Sequence, residues 1–272
     1  MSRPSPITAF YTPTIARPHP QQSMSIFPPS PSTRPVPWVI YIHGGAWRDP
    51  GQTKDMGIPL LLQSLPPTWG GMALDYRLSP AVQHPTHLED VLTGLKLLVS
   101  EYADLISHIV IIGHSAGACL ALQVLATLIA ERKISGATRG VSTSLCDRIK
   151  ALVGVEGIYD LVGLGKEYQS YKGFIWEAFG EDEELWDEAS PSSFQWRELL
   201  SDCTHNAKVV LVQSTGDQLL SMNQTNVMNS ILQDAGWKPE VKVINGGSHD
   251  ATVESTALFD VLRDLYNYVD DL

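Results

Sequence analysis

From Trp38 onward, short apolar runs alternate with longer stretches in which apolar positions recur every three to four residues. The runs occupy residues 39–42, 109–112, 151–155, 209–212 and 241–244. Each has four or five residues, is rich in β-branched side chains, and is too short for a buried helix, so each reads as a strand. Helical periodicity covers 87–101, 118–132, 225–235 and 256–269, with Pro85 and Thr86 opening the first and Gly236 closing the third. Strand and helix in alternation predict an α/β fold: a mainly parallel central sheet with helices on both faces. At 272 residues the chain can bury one large core, and a single domain is expected over 38–272.

Two segments break this rhythm. Residues 1–37 hold ten of the eighteen prolines, which predicts an extended N-terminal segment; any strand in it, around 24–27, is expected at a sheet edge. Residues 157–205 carry six aromatics from Tyr168 to Trp186 and the acidic run Glu181, Asp182, Glu183, Glu184, and are read as a lid or cap insertion. An irregular surface excursion fits that pattern equally well.

The third periodic helix pattern is not where the chemistry lies; the ends of the strands are. Residues 109–112 run into Gly113-His114-Ser115-Ala116-Gly117 and then into the helix from 118. Strand, GxSxG and helix in this order are the context of a nucleophile elbow, in which flanking glycines permit a turn tight enough to push Ser115 out at the top of the sheet. The run 39–42 leads into His43-Gly44-Gly45-Ala46-Trp47, where a glycine backbone can approach a substrate oxygen. Gly44, Gly45 and Ala116 are therefore the candidate oxyanion donors. His43 is read as a brace of this loop, and His114 as a packed neighbour of the nucleophile.

An acid and a base follow in the order such a fold requires. The run 209–212 ends in Gln213-Ser214-Thr215-Gly216-Asp217, and 241–244 ends in Asn245-Gly246-Gly247-Ser248-His249. Of the eight histidines, only His249 has this strand-loop-helix setting near the C-terminus, and Asp250 ranks well behind Asp217 as the acid. Ser115, His249 and Asp217 make a nucleophile, a general base and the group that orients the base.

Nineteen basic against thirty acidic residues give a net charge of −11, which disfavours nucleic acid and anionic membrane surfaces as partners and leaves a small-molecule substrate. No run approaches the roughly 20 apolar residues of a membrane helix. The first residues lack the apolar stretch of a secretory leader, and Pro4, Pro6, Pro13, Pro18 and Pro20 oppose an amphipathic presequence. Cys119, Cys146 and Cys203 are widely spaced and form no metal-ligand pattern; they are expected as reduced thiols of a cytoplasmic protein. No metal or organic cofactor is called for. Oligomeric state is not encoded in any pattern here.

Three motifs together, His43 to Trp47, Gly113 to Ala118, and Asp75-Tyr76-Arg77-Leu78-Ser79-Pro80, resemble the hormone-sensitive-lipase-like branch of the α/β-hydrolases. Within that branch the chain resembles the kynurenine formamidase (arylformamidase) family, especially its fungal form. The residues that carry this are HGGAW followed by Arg48-Asp49-Pro50, the elbow GHSAGA, Gly157-Ile158-Tyr159-Asp160-Leu161, and Ala178-Phe179-Gly180 leading to Ala189-Ser190-Pro191. The resemblance spans Trp38 to the C-terminus. It implies hydrolysis of N-formyl-L-kynurenine to L-kynurenine and formate through a formyl-serine, in a small acyl pocket beside a flat apolar slot. Trp47 and Tyr159, with Phe174, Trp176 and Phe179, are candidates for that slot, although core packing explains each as well. Arg48, Arg77 and Lys172 are the weakest candidates, for a substrate carboxylate. Two alternatives stay open: a broad carboxylesterase using the same residues, and a catalytically inactive hydrolase-fold binding protein.

Overall fold

The computed structural model describes residues 5–11, 19–30, 34–135, 145–200 and 207–272. Among the described residues eight strands form one sheet: β1 (Ile7–Phe10), β2 (Ser23–Phe27), β3 (Val36–Ile42), β4 (Gly70–Leu74), β5 (Ile106–His114), β6 (Ile149–Val155), β7 (Lys208–Ser214) and β8 (Glu240–Ile244). Their spatial order is β1-β2-β4-β3-β5-β6-β7-β8. The six strands from β4 to β8 are parallel, while β1 and β2 join antiparallel at one side. The parallel part needs crossovers, and ten helices among the described residues supply or accompany them. These are α1 (Gly57–Ser64), α2 (Thr86–Tyr102), α3 (Ala116–Ser135), α4 (Leu145–Arg148), α5 (Leu161–Glu167), α6 (Lys172–Phe179), α7 (Glu183–Ala189), α8 (Trp196–Leu200), α9 (Met222–Asp234) and α10 (Thr256–Asp270).

Side chains alternate across the sheet as the two-residue repeat of a strand dictates. Trp38, Ile40 and Ile42 of β3, with Ile109 and Ile111 of β5, enter one core layer beside α2 and α3; Val39, Tyr41, Val110 and Ile112 enter the other beside α1 and α10. Both faces are thus covered, which is why these strands read as unbroken apolar runs. Local capping agrees with the packing: Ser255 Oγ accepts from the Leu258 N–H at the start of α10, and Ser221 Oγ from that of Asn223 at the start of α9.

Two expectations change. The strand near 24–27 is not an edge: β2 pairs with both β1 and β4, all five of its residues are buried, and β1 takes the edge. The proline-rich segment thereby adds two strands, its prolines lying outside them. Strand β4 has no counterpart among the apolar runs because it opens on two glycines; a side chain at Gly70 would lie 2.1 Å from the Trp38 ring, which fills that space instead. Cys119 is free and buried, Cys146 is buried, and Cys203 lies outside the described residues. Among the described residues no helix is long and apolar enough to cross a membrane. The part of 157–205 within the described residues is mostly helical, α5 to α8.

Candidate active site

Ser115 sits between β5 and α3 with φ +53°, a left-handed conformation that a non-glycine side chain adopts only when its surroundings impose it. The surroundings do so through backbone contacts. A Cβ on Gly113 would lie 2.2 Å from the carbonyl oxygen of Gly117, and one on Gly117 would lie 2.2 Å from that of Ile42, so strand β5, helix α3 and strand β3 close on each other with no room for side chains. The Ser115 N–H donates to Val155 O at 2.9 Å, and its carbonyl accepts from Ala118 at 3.0 Å. Ser115 is left 7% exposed at the C-terminal end of the sheet.

The loop after β3 lies directly against it. A Cβ on Gly44 would come within 3.0 Å of Ser115 Cβ, and Gly45, Ala46 and Trp47 all carry positive φ (+91°, +49° and +57°), which turns this loop sharply. Ala116 opens α3, so its N–H belongs to the first turn, whose donors have no intrahelical acceptor. The DYRLSP segment proves to be the scaffold of the loop. The Tyr76 ring stacks on His43 at 4.3 Å, its hydroxyl stands 3.1 Å from the carbonyl of His43 and 3.0 Å from that of Gly44, and the Ser79 N–H donates to Trp47 O at 2.8 Å. His43 Nδ1 donates to Gly44 O at 2.8 Å, and burial lowers its pKa to about 4, so it braces the loop as a neutral ring.

Asp217 and His249 stand on the loops after β7 and β8. Ser214 joins the two loops: its hydroxyl donates to Gly247 O at 2.8 Å and accepts from the Gly246 N–H at 3.1 Å. His249 Nδ1 donates to Asp217 Oδ2 at 3.0 Å, and both side chains are buried. That bond places the ring proton on Nδ1 and leaves Nε2 as the basic nitrogen. Asp217 also accepts from Gln213 Nε2 at 2.8 Å, from Leu219 N at 2.8 Å and from Leu220 N at 3.0 Å. Burial works to raise its pKa, but the bond from His249 and these other donors outweigh it and hold Asp217 below the usual carboxylate range. Burial likewise works to lower the pKa of His249, and the bond to Asp217 with the charge of Asp217 outweighs that, leaving the imidazole above its usual value.

Ser115 and His249 stand at the same end of the sheet, after β5 and β8, and no hydrogen bond joins their side chains. The His249 ring lies 4.7 Å from that of His114, the residue before the serine. His114 donates its Nε2 hydrogen to the His249 carbonyl at 3.1 Å and is driven to a pKa of about 3 by burial and by its neighbour, so it positions His249 and supplies no second base.

One carboxyl close to the base has no signal in the sequence. Glu156, the residue after β6, is fully buried, with Oε2 at 3.7 Å from His249 Nδ1 and 3.6 Å from His114 Nε2. The donor atoms of His114, Glu156 and His249 all lie within 4.8 Å of one another, a set that resembles a metal site. Each facing imidazole nitrogen already has a nearer protein partner, Asp217 for His249 and the His249 carbonyl for His114, so we assign no metal there.

Trp47 and Tyr159 are both completely buried, and their Nε1 and hydroxyl atoms have no hydrogen-bond partner. Trp47 packs edge-on against Phe179 at 4.8 Å and against Phe174 at 6.4 Å, tying the glycine loop after β3 to α6, while Trp176 is 46% exposed. The three cationic candidates are each held by an acid: Arg77 by Asp90 through two bonds of 2.8 and 2.7 Å, Arg48 by Glu177 at 3.0 Å, and Lys172 by Glu183 at 3.3 Å.

Residues 24–232 match the BD-FAE family model. The chain is 38% identical to the kynurenine formamidase of Meyerozyma guilliermondii over 212 residues, 78% of this chain and 77% of that protein. It is 34% identical to the kynurenine formamidase of Debaryomyces hansenii, over 78% of this chain and 85% of that one. Among solved structures, a truncated carbohydrate esterase from gut microbiota superposes with a TM-score of 0.74 at 17% identity, covering 98% of this chain and 96% of that one, which shows a shared α/β-hydrolase fold.

Proposed function

The chain belongs to the kynurenine formamidase family of α/β-hydrolases, and from that premise we propose that it hydrolyses N-formyl-L-kynurenine to L-kynurenine and formate, with Ser115 as nucleophile. The observation that carries this reading is the His249–Asp217 pair at 3.0 Å, set beside a Ser115 turn in a chain so similar to curated formamidases. His249 Nε2 takes the Ser115 hydroxyl proton as Oγ attacks the formyl carbon. The N–H groups of Gly44, Gly45 and Ala116 hold the resulting oxyanion. His249 then gives its proton to the departing aniline nitrogen, and the C–N bond breaks to leave a formyl-serine. Water, deprotonated by the same imidazole, attacks that ester, and the Ser115 oxygen leaves with the proton as formate forms.

Trp47, locked in place against Phe174 and Phe179, shapes the arylamine side of the site through that packing, and α5 to α8 act as its cap. The net charge of −11 supports a small-molecule substrate over nucleic acid or an anionic membrane. The free, buried thiol of Cys119 supports a cytoplasmic setting.

The test is hydrolysis of N-formyl-L-kynurenine by the full chain, followed through the near-ultraviolet absorbance of the product, beside p-nitrophenyl acetate. Turnover of the formamide is expected to exceed that of the ester and to fall by roughly 10⁴-fold or more in Ser115→Ala. Rapid ester hydrolysis without turnover of the formamide would identify a general esterase instead.

A further inference from the structure

The proposed reaction leaves one carboxyl beside its base unused. Glu156 occupies a left-handed backbone conformation, φ +46°, and its N–H donates to Val212 O at 2.7 Å, which pins it between the ends of β6 and β7. Thr252 donates to Oε1 at 3.1 Å, while Oε2 is buried without a hydrogen-bond partner and faces His249 Nδ1 at 3.7 Å. Two carboxyl oxygens therefore address one imidazole nitrogen, Asp217 Oδ2 in contact and Glu156 Oε2 just beyond it. A strained backbone and an unpartnered buried oxygen are both unfavourable, and they coincide here on the residue nearest the base that no step yet employs.

We propose that Glu156 is a second positioning acid for His249, placed so that its carboxylate can accept the Nδ1 hydrogen that Asp217 ordinarily holds. The titratable groups around it are His114 from the end of β5, Asp217 from the loop after β7, and His249 from the loop before α10, with Asp250 acting on both imidazoles. Asp217 is surrounded by four donors and carries the negative charge at neutral pH. Burial, and then the charge on Asp217, push the Glu156 pKa up to about 8, so Glu156 holds its proton while Asp217 is ionised. Removing the Asp217 charge removes one cause of that rise, and Glu156 then ionises more readily and takes over the imidazole.

The inference rests on the triad reading above, and its test uses a reagent that reports on Ser115 without any formamide. The rate of Ser115 phosphonylation by a fluorophosphonate, followed by mass spectrometry, is compared across neutral and alkaline pH for the full chain, Asp217→Asn, and Asp217→Asn with Glu156→Gln. Thermal unfolding verifies that each is folded. Asp217→Asn is expected to keep a residual rate that climbs with pH, and the double variant to lose that climb and about tenfold or more of the rate. Equal rates and equal pH dependence in the two would overturn the role of Glu156 while leaving the triad intact. A full chain that is not labelled at Ser115 would overturn the triad reading and this inference with it. In the unmutated protein, infrared spectra are expected to lose the C=O stretch of a buried protonated carboxyl as pH rises through about 8. Absence of that transition also overturns the proposal, even if the variants do not fold.

Discussion

Gln213 donates to Asp217 Oδ2 at 2.8 Å, on the same oxygen that accepts from His249 Nδ1. The amide thus fixes the direction in which Asp217 presents its charge to the imidazole. A hydrogen bond to a charged group contributes about 1.5–3 kcal/mol. Gln213→Met is expected to lower kcat by about tenfold or more with KM nearly unchanged, because the bond matters most as His249 becomes cationic. Steady-state kinetics would show this; a change in KM alone would place Gln213 in substrate binding instead.

Activity should fall on the acidic side with an apparent pKa above the ordinary histidine value of 6.5. The sign follows from the mechanism: the base works only when neutral, and the ionised Asp217 favours its protonated form. The pH profile of kcat/KM is the measurement, and an acidic limb well below that value would contradict the His249–Asp217 pairing.

Gly117→Ala should destabilise the fold by about 3 kcal/mol or prevent folding, because the new Cβ would meet the backbone carbonyls of Ile42 and His43 at 2.2 and 2.5 Å, and backbone yields less than a side chain. Gly173→Ala in α6 is the control. Nothing lies within 4 Å of its added Cβ, so the better helix former should be neutral or stabilise by up to about 1 kcal/mol in urea denaturation.

Arg77→Met should cost about 3–5 kcal/mol, the usual penalty for leaving a buried carboxylate without its partner. Asp90 is 2% exposed and accepts from Arg77 Nε, Nη2 and N–H and from Gln22 Nε2. Had Arg77 instead bound a substrate carboxylate, the variant would raise KM and leave denaturation unchanged.

Stability should drop as pH falls below about 6.5. Burial depresses the pKa values of His43, His84 and His87 to about 4 and that of His114 to about 3, so the unfolded chain takes up protons there before the native state does. Glu156 acts oppositely, since its raised pKa favours the native state most at low pH and loses that contribution as pH rises through about 8. His249, with its raised pKa, acts in the same direction as Glu156, and the four depressed histidines outweigh the two on the acid side; thermal unfolding across pH would reveal the slope.

Local signals in the chain mark the parallel strands 39–42, 109–112, 151–155, 209–212 and 241–244, the elbow around Ser115, the glycine loop after β3 and the late acid and base. They are readable because each depends on consecutive residues: a strand too short to be a helix, a turn too tight for a Cβ, a polar side chain just past the end of a strand. Strand β4 escapes that reading because its first two residues are glycines whose space is filled by the Trp38 ring from a neighbouring strand. Strand β2 looked like an edge because proline flanks it, and becomes internal only because residues 7–10 pair along its other side.

Composition and motif, then, determined by themselves the fold class and the identity of the nucleophile, base and acid candidates. The tertiary structure alone decided what surrounds them: Tyr76 against the glycine loop after β3, Gln213 on Asp217, Arg77 committed to Asp90, and Glu156 behind His249. The physical reason is chain separation. Thr252 and Glu156 meet across 96 residues and His114 and His249 across 135, and contacts of that span depend on how the strands are ordered in the sheet, which no local pattern encodes.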